Sequence, residues 1–318
     1  MRPVPGAGQR SPGGRHPPRG ARTSSGGRRA AARRARLRAL PDAPLLLVDA
    51  PFFLYRAFHA LPTSIEGKDG TPANALLGST NAILAAAEEY EPRAVVACFG
   101  PDAARYRVEL FSGYHAQRPP VPDELAPQWG QAGHFYQALG WEVAESEEVE
   151  ADDLLGSYAA EEVEARGRAL IFTGDRDLFQ CAGDRVTVLL AARGGPQLVD
   201  AAEVERRYGV TPALVPDFIA LRGDPSDGIP GARGVGAKTA ADILRRHGSL
   251  EAALQAAPEG TPLAAARERL LAYKEIATLR RLPVERPSDR PTDYARGAEA
   301  ARELGLSRLA ERLARRPA

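Results

Sequence analysis

Cysteine is scarce in this chain: 318 residues contain two, Cys98 and Cys181. Their positions fit neither a metal-ligand nor a redox spacing. Each sits in or beside an apolar run and reads as a small buried hydrophobe. Nothing indicates a disulfide framework or an oxidising compartment, so a cytoplasmic setting is expected. No apolar run nears the ~20 residues needed to cross a membrane, and no signal-peptide core is present. Acidic residues are missing from positions 1–41, which hold eleven arginines. That stretch, rich in Arg, Gly, Pro and Ala, lacks periodicity over most of its length and reads as a disordered tail. Its composition fits non-specific phosphate affinity or a targeting-like tail. The net charge of +1 therefore hides an acidic body behind a basic tail. Such a body can bind nucleic acid by gathering its bases on one face, or through metals that offset its acids.

What is there is an α/β pattern. Leu45-Leu-Leu-Val48, Ala94-Val-Val-Ala-Cys-Phe99, Ala169-Leu-Ile-Phe-Thr173 and Val186-Thr-Val-Leu-Leu190 read as short buried strands. Helical patterns over 72–90, 123–139 and 154–166 alternate with them, and Gly167 suits a helix stop. Alternation of this kind predicts a mostly parallel sheet covered on both faces. The α/β part is placed at 42–199, and a helical part at 200–318.

Two acidic clusters dominate the first part. Glu150-Ala-Asp152-Asp153 opens a helix, and Thr173-Gly-Asp175-Arg-Asp177 follows a strand. Sites in parallel sheets lie beyond the carboxyl ends of strands. Close carboxylates repel unless a cation sits between them, and hard divalent ions, Mg²⁺ or Mn²⁺, suit oxygen ligands. Each cluster alone has a plainer reading. Acids in a first helical turn favour the helix dipole, and Asp-x-Asp is common turn chemistry. Asp49 at the end of the first strand and Asp224 and Asp227 further on reverse that preference.

The segment Gly223 to Ala240 is superficially like a phosphate-binding P-loop, but Ala237 separates Gly236 from Lys238 and no strand leads in. A glycine hairpin over 231–240 between two helices fits better. Gly234 and Gly236 permit the turn, and the helix after it offers N–H groups to a nucleic-acid phosphate. The plainer alternative is a structural helix–helix turn.

Taken together, these motifs resemble the 5′ nuclease family, which includes the N-terminal domain of bacterial DNA polymerase I and the flap endonucleases. The matching pieces are Leu-Leu-Val-Asp49, Tyr55-Arg56-Ala-Phe-His-Ala-Leu61, Arg107 through Tyr114 to Arg118, Glu150-Ala-Asp152-Asp153, Thr173 to Gln180, and Gly223 to Asp227 with its hairpin. The resemblance runs from Leu45 to Arg281, in a stand-alone form. It implies a resolvase-like (PIN-like) α/β domain and a helical region with a helix-hairpin-helix-type motif. It implies two divalent metals, one on Asp49, Glu150 and Asp152 with Asp153 close by, the other on Asp175, Asp177, Asp224 and Asp227. It also implies a helical arch near 103–125 that passes a 5′ single strand. Arg107, His115 and Arg118 would act there on the scissile phosphate, and Arg56, Arg105 and Tyr114 on DNA. Gly234, Gly236, Lys238 and Thr239 would hold duplex phosphates, where the family also admits a monovalent cation. The implied partner is DNA bearing a 5′ flap, nick or 5′ end.

The chain departs from the family at Gly100, where a carboxylate is usual, and at His115, where lysine is usual; Gly228 replaces a usual asparagine. Loss of one ligand would favour Mn²⁺ over Mg²⁺, with Asp102 a candidate substitute. The alternative to a nuclease is a module that binds flapped DNA with impaired catalysis. A phosphatase of the haloacid dehalogenase type is disfavoured, because Asp49 is followed by Ala50 and Pro51 and not by a second aspartate.

Overall fold

The computed structural model describes residues 42–316; the tail expected at 1–41 lies outside them. In chain order the first part comprises β1 (Leu45–Asp49), α1 (Ala50–Ala60), α2 (Asn74–Tyr90), β2 (Ala94–Phe99), α3 (Arg105–Leu110), α4 (Ala126–Ala138), β3 (Glu142–Glu145), α5 (Ala151–Glu164), β4 (Ala169–Thr173), β5 (Val186–Leu190) and β6 (Gln197–Val199). Helices α6 (Ala201–Tyr208), α7 (Val215–Arg222), α8 (Ala237–His247), α9 (Leu250–Ala256), α10 (Pro262–Ala265), α11 (Arg267–Ala277), α12 (Tyr294–Glu303) and α13 (Ser307–Ala314) follow.

The six strands lie in the order β3-β2-β1-β4-β5-β6, all parallel except the antiparallel edge β6. The chain builds outward from β1 to β3, then crosses back to lay β4 on the other side of β1. That reversal opens a crevice between the carboxyl ends of β1 and β4, where such sheets hold their ligands. Strand alternation sorts the core onto two faces. Leu45, Leu47, Val96, Ile171 and Val188 share a core with residues of α5, α7, α8 and α11. Leu46, Val48, Val95, Leu170, Phe172 and Leu189 pack with residues of α1, α2, α4, α12 and α13.

Three expectations change. The last two helices do not continue the helical region: Ala298, Ala301, Leu309 and Leu313 pack on the far face of the sheet. The segment at 103–125 is not a helical arch. It forms one short helix, α3, then turns that fold down onto the body, with Tyr114 buried and the Phe111 ring edge-on to Tyr273 of α11 at 5.1 Å. And α5 is stopped by Arg166, whose φ is 63°, not by Gly167. Gly167 N–H bonds Glu162 O and Arg166 N–H bonds Val163 O, closing the turn as a Schellman motif one residue earlier than expected.

Candidate active site

Each acid is delivered by an element end. Asp49 leaves β1 and caps α1, its Oδ1 accepting the Phe52 N–H at 3.1 Å. Its Oδ2 accepts the Thr173 hydroxyl from β4 at 2.6 Å. Thr173 Oγ1 in turn accepts the Asp175 N–H at 2.9 Å, and Asp175 Oδ1 accepts the Asp177 N–H at 2.8 Å. Glu150 is the N-cap residue of α5, with Asp152 and Asp153 in its first turn. Asp224 and Asp227 come from the loop after α7, closed by paired backbone bonds between Asp224 and Ile229 at 2.8 Å. Ser226 N–H and Arg222 Nη2 hold the Asp224 carboxylate, each at 2.9 Å.

All of these acids except Asp153 line one cleft of about 800 Å³, together with Arg107, Tyr114, His115 and Arg118. Burial raises the carboxyl pKa of Asp152 and Asp177, with Asp175 next in effect at each. Burial and then the Asp227 charge push Asp175 up to about 7. Asp49 and Glu150 are also raised, by burial first, against the opposing pull of hydrogen bonds and, at Glu150, of Arg107. A crowd of acids held this way favours any cation that enters. Among the described residues, no group of three or more His, Cys, Asp or Glu side chains forms a ready-made cage for an ion. The carboxylates instead line the wall of the cleft, and Mg²⁺ characteristically keeps several waters where few side chains reach it.

Several predicted residues have other duties. Asp153 is fully buried behind the cleft, its Oδ1 accepting Arg107 Nη2 at 2.9 Å and the Arg280 N–H at 2.7 Å. It is an internal counter-ion, not a ligand of the cleft. Arg107 is itself buried, bridging Asp153 and Glu150, so its guanidinium is spent on protein carboxylates and not on DNA phosphates. Burial, the largest single influence, disfavours that cation, but Glu150, Tyr114, Asp153 and Tyr106 around it together outweigh the cost and keep Arg107 charged. Tyr114 offers no base-stacking face. Its hydroxyl donates to Glu150 at 2.9 Å and its ring stacks on His115 with centroids 3.9 Å apart.

His115 and Arg118 do reach the cleft. His115 places Nδ1 2.5 Å from Asp102 O and Nε2 3.2 Å from Asp227 Oδ1. Arg118, half-exposed, spans Asp102 at 2.9 Å and Asp227 at 3.3 Å. Asp102 thus pairs with Arg118 at the rim. Gly228, at φ 75°, lets the loop pass: a Cβ there would lie 2.6 Å from Gly113 O. Asparagine tolerates that φ, but its Cβ would press on the Gly113 carbonyl here, which accounts for glycine. Gly100 also has a packing reason. An added Cβ would stand 2.6 Å from both Val149 O and Ala151 N.

Arg56 and Arg105 lie outside the cleft. Both are exposed, Arg56 donating to Ala192 O at 3.4 Å and Arg105 pairing with Glu109 at 2.7 Å. At 231–240, Gly234 has φ 78°, Gly236 caps α8, and Lys238 and Thr239 stand exposed in its first turn. The sequence reading missed Phe52, Trp129, Arg176 and Arg222, which also line the cleft. Arg222, next to the Gly223-Asp224 motif, carried the clearest signal.

Residues 44–209 match the family model described as 5′-3′ exonuclease, N-terminal resolvase-like domain, and residues 210–293 match 5′-3′ exonuclease, C-terminal SAM fold. The chain is 34% identical over 308 residues to a Mycobacterium tuberculosis 5′-3′ exonuclease, covering 85% of this chain and 96% of that one. It is 38% identical over 224 residues to Pseudomonas aeruginosa DNA polymerase I, covering 69% of this chain but only 24% of the polymerase. Its fold is similar to that of the bacteriophage T5 D15 flap endonuclease in a pseudo-enzyme-product complex with DNA and metal ions. That match has a TM-score of 0.61 and 17% identity, over 85% of this chain and 98% of that one. With both consecutive family models matched and a full-length relative alongside, this chain belongs to the 5′-3′ exonuclease family.

Proposed function

We propose that this chain is a divalent-metal-dependent, structure-specific 5′-3′ nuclease that hydrolyses phosphodiester bonds at the 5′ ends and flaps of DNA in replication and repair. The observation that carries this reading is the ring of buried and half-buried acids around one cleft, with Asp152, Asp175 and Asp177 held above the ordinary carboxylate range. The acids of its lining offer carboxylate oxygens, which suit Mg²⁺ or Mn²⁺. Asp49, Glu150 and Asp152 would hold one ion, and Asp175, Asp177, Asp224 and Asp227 the other. When bound, a metal pair supplies an activated water and stabilises the leaving oxygen.

The chain's own residues do the rest. Arg118 stands at the mouth beside Asp227, where a phosphate meets a cation of the protein. His115 faces the same carboxylate and helps to fix it. Phe52, Tyr55 and Trp129 give the cleft an apolar and aromatic wall for a base or sugar. Exposed Lys238 and Thr239 at the start of α8 would take duplex phosphates without reading sequence.

The test is a 5′-labelled flap duplex incubated with Mg²⁺ or Mn²⁺. Release of short 5′ products by the wild type, and none by Asp177→Ala with flap binding retained, is the expected result. A wild type that binds the flap and releases nothing in either metal would leave a binding module instead.

A further inference from the structure

The chain leaves α11 at Ala277 and runs as an extended strap to α12 on the other face of the sheet. Its first peptide groups are held by side chains of the α/β part. Ala277 O accepts Gln180 Nε2 at 2.9 Å, and the Leu279 N–H donates to Gln180 Oε1 at 3.1 Å. The Arg280 N–H donates to Asp153 Oδ1 at 2.7 Å, and the Leu282 N–H to Ser157 Oγ at 3.0 Å. Opposite the strap, α5 carries Gly156, where a Cβ would lie 2.9 Å from Leu279 Cδ1. The docking seat is therefore shaped on both sides.

Gln180 makes a further bond. Its Nε2 also donates to Asp177 O at 2.8 Å. One amide thus uses both hydrogens and its oxygen. The Asp177 N–H is held by Asp175 at 2.8 Å, so both backbone polar groups of Asp177 are fixed. The strap end that Gln180 holds is no bystander, since Ile276, Ala277 and Leu279 form a wall of the cleft. Gln180 itself stands behind that wall.

We propose that Gln180 is a positioning residue for the nuclease reaction, locking the cleft wall at Ile276–Leu279 to the turn that carries Asp175 and Asp177. Through it the helical region and the metal-bearing turn keep one register. A group that orients ligands from behind commonly changes metal affinity or activity by ~10–100-fold when lost. The inference rests on the nuclease reading above.

Gln180→Met keeps the side chain's length and removes all three bonds. On the full chain, Mn²⁺ affinity is measured by electron paramagnetic resonance without DNA. The kcat and KM are measured on a 5′-flap duplex, and Tm by thermal scan. The expected result is Mn²⁺ binding weakened about tenfold or more and kcat lowered to a similar degree, with KM and Tm nearly unchanged. Unchanged Mn²⁺ affinity and kcat would overturn the proposal. So would a joint fall of kcat, flap affinity and Tm in this variant and in Gln180→Asn alike, which signals lost folding and not lost register. Gln180→Asn, polar but too short to reach Ala277, serves with the same outcomes if the methionine variant folds poorly. A wild type that binds Mn²⁺ but cuts no DNA sinks the nuclease reading alone, and the Mn²⁺ comparison still decides Gln180.

Discussion

Arg107 Nη1 lies 2.5 Å from Glu150 Oε2, deep in the protein, and its Nη2 lies 2.9 Å from Asp153 Oδ1. One cation from α3 therefore neutralises two acids at the start of α5. This pairing binds the 103–118 segment to the acidic centre. Arg107→Ala would leave two carboxylates buried without it, and breaking such a pair costs ~3–5 kcal/mol. Urea unfolding should show that loss as a lowered midpoint. Arg107→Lys should recover only part of it, because an ammonium cannot present the two-pronged guanidinium geometry. A lysine variant as stable as wild type would show that the bridge does not depend on that geometry.

The raised carboxyl groups make a pH prediction. Asp175 is pushed up to about 7 from an ordinary 3.8. Between those values the folded state binds more protons than the unfolded state, so stability falls as pH rises through that window. In EDTA, Tm should be a few degrees higher near pH 5.5 than near pH 8. Mn²⁺ at pH 8 should raise Tm, since binding to the folded state alone stabilises it. Thermal scans at the two pH values, with and without metal, check both parts. Asp177→Asn should raise the metal-free Tm at pH 8, because it removes a charge that burial and Asp175 oppose.

Gly100 looked on sequence like a ligand position left empty. The backbone packing there predicts another outcome for repair by mutation. Val149 O and Ala151 N each lie 2.6 Å from where a Cβ would stand, and backbone atoms do not swing aside as a side-chain tip can. Gly100→Ala and Gly100→Asp should both destabilise, by ~1–3 kcal/mol as overpacked sites do. Gly100→Asp should not raise Mg²⁺-supported cleavage. An aspartate variant with wild-type Tm and faster Mg²⁺ turnover would show that the 149–151 backbone yields and that the carboxylate was limiting.

The central strands were legible because burial on both faces makes them continuous apolar runs. β3, reading Glu-Val-Ala-Glu, and β6, with three residues, are edge strands without such a run. The acids were legible because their chemistry is written in their identity and order. What the arginines and tyrosines do was not. Arg107 and Tyr114 are residues that usually face solvent or ligand, and only the fold places acids 36 to 46 residues away against them. Gln180 was hidden for the same reason: the peptides it holds are 97 and 99 residues further on. The last two helices carry no local sign of which face of the sheet they cover.

The final prediction separates grip from chemistry. Lys238 and Thr239 are exposed at the start of α8, where first-turn N–H groups also point outward. A phosphate bound there adds one counterion release to duplex binding. Lys238→Ala should therefore weaken binding to flap and blunt duplex alike, and flatten the slope of log affinity against log salt by about one. Arg118 has a different setting. It is half-exposed at the cleft mouth and shares Asp227 with His115. If it meets the reacting phosphate as proposed, its removal costs a cation there, a loss of the kind worth ~10²–10³ in kcat. Arg118→Ala should therefore depress kcat on a flap while leaving blunt-duplex affinity and its salt slope near wild type. Fluorescence anisotropy across a salt series and single-turnover cleavage measure the two effects separately. If Lys238→Ala slows cleavage at saturating DNA as much as Arg118→Ala does, the hairpin contributes more than grip. If Arg118→Ala flattens the blunt-duplex salt slope, the arginine belongs to the duplex contact and not to the cleft.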